Sequence, residues 1–88
     1  MNILITLPKK LIEKIISGEK IFEMRKCLPK HMEIGEDGFF VVEKGTNIIR
    51  CWCRVNSITE TYIGRYSIDW YVSRLCVSAD YIKKYANG

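Results

Sequence analysis

Residues 18–26 read GEKIFEMRK, so Lys20, Glu23 and Arg25 follow a glycine at spacings of three and two. An ammonium, a carboxylate and a guanidinium gathered in one place can grip a phosphate, orient one another, or accept a hydrogen bond from a base amino group. On a solvated strand the same side chains would make a local salt-bridge set and nothing more. Arg50, Trp52 and Arg54 form a second group at strand spacing, which puts all three on one face. Such a basic–aromatic–basic stripe stacks an unpaired base and holds its phosphates. The plainer reading is a packed tryptophan with arginines reaching out from an edge. Lys9 and Lys10 stand at the start of the first helical segment, where unpaired N–H groups favour an anion.

Catalysis would fall to Lys20 and Glu23: Glu23 as general base on a water, Lys20 as electrophile, and Glu60 as a second carboxylate. Ribonuclease chemistry normally wants an acid–base pair, and the only histidine is His31, in a loop. Cys27, Cys51, Cys53 and Cys76 contain no CxxC pair. Zinc held by Cys27, His31, Cys51 and Cys53 is the metal alternative; buried structural thiols are the reading taken, with no metal and no cofactor. Tyr62, Tyr66, Trp70 and Tyr71 have spacings that fit helix packing and are read as structural.

The elements that must position these groups follow from periodicity. NILITL (2–7) is an apolar, β-branched run of strand length. Pro8 suits the first turn of a helix through PKKLIEKIIS, with Leu11, Ile12, Ile15 and Ile16 on one face and Gly18 as its stop. A second strand is predicted over 20–25. If regular, it puts Ile21, Glu23 and Arg25 on one face; a turn beside Gly18 would instead bring Lys20 round to Glu23. CLPKHMEIGEDG is a loop, FFVVE (39–43) a strand, KGTN a hairpin turn and IIRCWCRVNSI (48–58) a further strand. In that last strand Ile49, Cys51, Cys53 and Val55 share the face opposite the Arg50, Trp52, Arg54 stripe. Residues 67–77 read as a helix capped by Ser67, and 78–88 as a second helix started at Ser78 and stopped near Gly88.

Eighty-eight residues, about half of them apolar, make a single domain over 1–88 of α+β class. The net charge of +4 suits a polyanion without requiring one. Most of it lies in residues 1–26, where six lysines and arginines face three glutamates. No run is long and apolar enough to span a bilayer, and the amino end has no signal-peptide pattern, so no membrane partner is expected and the location is read as cytoplasmic with reduced thiols.

A proline-started helix followed by Gly-x-Lys-x-x-Glu-x-Arg, here Pro8 and then Gly18, Lys20, Glu23 and Arg25, resembles the amino-terminal signature of the ASCH domains, relatives of the PUA-like RNA-binding barrels. The ending RVNSI is also similar to that family, and the likeness covers roughly residues 3–58. The resemblance implies a small β-barrel with helices at its ends and a charged cleft lined by the motif, binding RNA or a nucleotide. Some relatives are amidohydrolases whose motif lysine activates a threonine three positions on; Glu23 stands there in this chain. Leu7 precedes Pro8 where the family often carries lysine. The family also tends to add a strand after the last helix, so a truncated barrel, or a homodimer covering an open sheet edge, is a secondary expectation. An accessory, protein-binding role is the third reading.

Overall fold

The computed structural model describes residues 2–60, 62 and 64–87. The first apolar run forms β1 (Asn2–Leu7), and Pro8 turns the chain into α1 (Lys9–Ile16). The Pro8 carbonyl accepts the first helical bonds, from Leu11 and Ile12 N–H, and the N–H that proline lacks would have had no helical acceptor there. Gly18, at φ +85°, ends the helix, and its N–H donates to the Ile15 carbonyl. The strand predicted over 20–25 does not form: this stretch has no regular secondary structure and joins no ladder.

Next come β2 (Gly38–Glu43), a turn through Gly45, and β3 (Ile49–Arg54), shorter than its apolar run suggests. The helices α2 (Ile68–Leu75) and α3 (Ala79–Asn87) follow, with Ser67 and Ser78 side chains accepting from the N–H groups of Trp70 and Tyr81. Both serine caps fall where the sequence puts them. The stop read at Gly88 lies outside the described residues.

The sheet is open and three-stranded, in the order β1-β2-β3, with β1 and β2 parallel and β2 and β3 antiparallel. One face, carrying Ile5, Leu7 and Val41, packs on Ile12 of α1, with Ile3, Phe39, Cys51 and Cys53 at its margins. Each fully buried aliphatic there contributes roughly 1.5–3 kcal/mol. Ile16, expected on the same helical face, is the last residue of α1 and is 60 % exposed. A second core joins Tyr71, Leu75 and Ile82 of α2 and α3 with Met24 from the stretch after Gly18. The fold is thus α+β with two small cores, and the segment after Gly18 connects them. Among the described residues no helix is long and apolar enough to cross a membrane.

Candidate functional site

Two turns of geometry bring Lys20 inward. The Gly18 turn ends α1, and the Lys20 N–H donates back to the Lys14 carbonyl at 2.9 Å. The Lys20 side chain, only 3 % exposed, then runs between the two cores. Its Nζ donates to the Phe22 and Leu75 carbonyls, each at 2.6 Å, and lies 3.5 Å from Glu23 Oε1. An ammonium has three donors, and each has an acceptor here. Leu75 is the last residue of α2, so the cation also meets the negative end of that helix. Burial nevertheless dominates and holds the Lys20 pKa below its ordinary 10.5, while the Glu23 carboxylate pulls it the other way.

Glu23 is held from both sides. Its Oε2 pairs with Arg25 Nη2 at 2.8 Å, while Oε1 faces Lys20. A regular strand would have put Lys20 and Glu23 on opposite faces; because the stretch joins no ladder, Lys20 swings round instead. Arg25 Nε is buried and has no hydrogen-bond acceptor among the described residues, an arrangement that costs about 1–3 kcal/mol unless a further group meets it.

These side chains form the floor of a cleft of about 1120 Å³. Among the described residues Lys20, Arg25, Lys26, Arg54, Arg65 and Arg74 line it against only Glu23 and Glu60. A smaller recess of about 10 Å³, the size of one water, opens beside Lys20 and Glu23 between Leu11 and Leu75. One wall of the cleft belongs to α2 and the residues before it. There Tyr66 stacks on Trp70 at 4.2 Å, Arg74 lies over Trp70 at 4.1 Å, and Arg65 lies over Tyr66 at 5.6 Å. Tyr71 meets Trp70 edge-on and donates its hydroxyl to the Tyr62 carbonyl at 2.8 Å, fixing the wall to the loop before it.

The second sequence group is not brought together as a stripe. A bulge between Val41 and Val42 pairs Val42 with Ile49 and leaves Arg50 as the extra residue. Arg50 bonds Glu43 at 3.3 Å and does not line the cleft, and Ile49 is exposed instead of sharing the face of Cys51 and Cys53. Trp52 sits on the outer sheet face opposite Phe40, 39 % exposed, with its Nε1 donating to Asn2 Oδ1 at 3.0 Å. Arg54 lies 5.7 Å from the Trp52 ring and reaches the cleft rim. Lys9 and Lys10 are exposed on α1 and do not line the cleft.

The cysteines are free, and among the described residues no group of three or more His, Cys, Asp or Glu side chains gathers to hold a metal ion. Burial, with Cys51 adjacent, pushes the Cys53 thiol up to about 11. His31 is exposed in its loop. Sequence reasoning missed Arg65, Arg74 and the aromatic pair between them as cleft residues. The i, i+4 spacing of 66, 70 and 74 was the available signal, and it fits packing equally well. No family model, no curated protein and no solved structure matches this chain.

Proposed function

We propose that the cleft binds RNA or a nucleotide, in the manner of an ASCH-type, PUA-like domain, with Lys20, Glu23 and Arg25 at its floor. The observation that carries this reading is convergence: Glu23 is clamped between Lys20 and Arg25 at the base of a hollow where six cations face two carboxylates. In this reading Lys20, with its donors already used, positions Glu23. Arg25, whose side chain is 29 % exposed, meets the ligand with guanidinium N–H groups outside its Glu23 contact, and Glu23 accepts from a base amino group. The barrel implied by the resemblance would be completed across an open edge of the sheet by a further strand or a second copy, and the four free thiols fit a cytoplasmic setting.

The test is a titration of labelled single-stranded RNA at low and moderate salt. Affinity should fall as salt rises, and Arg25→Gln should weaken binding on the order of tenfold, the worth of one charge-assisted contact. Flat titrations of wild type with RNA and DNA at low salt would overturn the proposal.

A hydrolytic reading draws on a different observation: the water-sized recess beside Glu23 and a lysine whose pKa is lowered by burial. There Glu23 would take a proton from water, Lys20 would turn the donor it holds 3.5 Å from Glu23 onto the developing oxyanion, and Glu60 would serve as the second carboxylate. Turnover of an acylated cytidine that Glu23→Gln abolishes would support it, and unchanged substrate after long incubation would remove it.

A further inference from the structure

Arg54, Arg65 and Arg74 share a feature that Arg25 and Arg50 lack. Each guanidinium lies over an aromatic ring, of Trp52, Tyr66 and Trp70 respectively, and among the described residues none of the three pairs with a carboxylate. A guanidinium lying over a ring is held in place, yet N–H groups at its edge remain available to phosphate oxygens; in Arg65 these are the Nη groups, since its Nε–H donates to the Tyr66 hydroxyl at 3.3 Å. All three line the cleft, and all three are exposed.

The α2 wall sets the spread of Arg65 and Arg74, while Arg54 stands on the rim at the end of β3. The contacts from Arg65 to Tyr66, Trp70 and Arg74 measure 5.6, 4.2 and 4.1 Å, giving a cation-ended ridge of at most about 14 Å. One strand of a stacked nucleic acid advances about 3.4 Å per phosphate along its axis, so such a ridge reaches at most about four phosphates. The cleft volume of about 1120 Å³ also exceeds the roughly 300–1,000 Å³ that a small ligand fills.

We infer that the cleft's ligand is a single-stranded polynucleotide, not a free nucleotide, and that Arg54, Arg65 and Arg74 form a phosphate track along it. This rests on the reading of the cleft as a nucleic-acid site and adds the length of the ligand and the residues that measure it. The strand lies along the α2 wall with its phosphates on the three arginines, and one base descends to Glu23 and Arg25.

The experiment is a length series at fixed salt, from uridine 5′-monophosphate through the di-, tetra- and octauridylate, repeated across a salt range. Affinity should climb at least tenfold from the mononucleotide to the tetranucleotide, and log affinity for the octanucleotide should fall against log salt. Each of Arg54→Gln, Arg65→Gln and Arg74→Gln should flatten that slope by about 0.7, one single-strand phosphate contact. Lys83→Gln, an equal charge change on exposed α3, should leave the slope in place.

A mononucleotide that binds as tightly as the octamer, through Arg25, would overturn the track and leave the proposed function standing. Length-dependent binding that the arginine variants weaken and Arg25→Gln does not would support the track and move the function off the floor. A slope unmoved by all three variants would overturn the track. A duplex competitor as effective as the single strand would overturn it as well.

Discussion

The cleft floor and the outer face of the sheet contain the same kinds of side chain and do opposite things with them. At the floor, Lys20, Glu23 and Arg25 converge in a hollow, and one buried N–H is left over. Elsewhere on the sheet two polar groups are met locally: Arg50 by Glu43, and the Trp52 indole N–H by Asn2. The Asn2 amide oxygen also accepts from the Gly38 N–H, so one side chain ties β1 to β2 and to Trp52 of β3. The difference lies in the backbone. A regular ladder spreads charges two by two across a surface, whereas an irregular stretch outside any ladder can fold them onto one point.

Breaking the floor should cost most. Lys20→Ala leaves two carbonyls without their donor and Glu23 without one of its cations, for an expected loss of about 3 kcal/mol in urea unfolding. A loss under about 0.5 kcal/mol would mean that the two cores do not depend on this contact. On the outer face the most sensitive position is Gly38, where an added Cβ would run into the Cys53 carbonyl oxygen and come within 2.8 Å of the Trp52 ring. Gly38→Ala should therefore destabilise by about 2 kcal/mol, read from the same unfolding curves.

Trp52→Phe keeps a ring and drops the bond to Asn2, for about 1 kcal/mol; a double-mutant cycle with Asn2→Ala should show the two losses to be shared. Arg50→Ala should fall within about 0.5 kcal/mol, as exposed pairs do. If it cost as much as Lys20→Ala, the contrast between the two regions would fail.

Titration sharpens the comparison further. The folded state releases the Lys20 proton more readily than the unfolded chain, so stability should rise as pH climbs toward the ordinary lysine value of 10.5. Cys53 runs the other way. Its thiol is held up to about 11 against an ordinary 9.0, so its contribution is complete below pH 9 and fades between 9 and 11 as the unfolded chain ionises first. The stability difference between wild type and Cys53→Ala should be level below pH 9 and decline above it. Iodoacetamide at neutral pH should reach exposed Cys27 well before Cys53, read by mass spectrometry.

Much of this fold was legible in residue periodicity. Strand-length apolar runs gave β1 and β2, the 3.6-residue pattern gave α1, and Ser67 and Ser78 marked the helix starts. The segment 20–25 was not legible. Its alternation fits a strand, but ladder partners are a tertiary matter, and β2 takes β1 and β3 as its neighbours instead. The bulge that diverts Arg50 is one extra residue and has no signature in the sequence. The Lys20 contact with Leu75 spans 55 positions, beyond what local spacing reports. The arginine-and-aromatic wall was visible as a helical spacing, but only the packing of α2 beside the floor makes it the side of a cleft.

The bond from Lys20 to the end of α2 makes cleft width and helix docking a single variable. Acylation of that amine, or its replacement by a side chain that cannot reach Leu75, would release the helical hairpin as a separately opening unit. The wall and the floor would then part together. Amide hydrogen exchange in α2 and α3 would quicken while β2 stayed protected, so a lesion at one lysine would be read out a whole helix away.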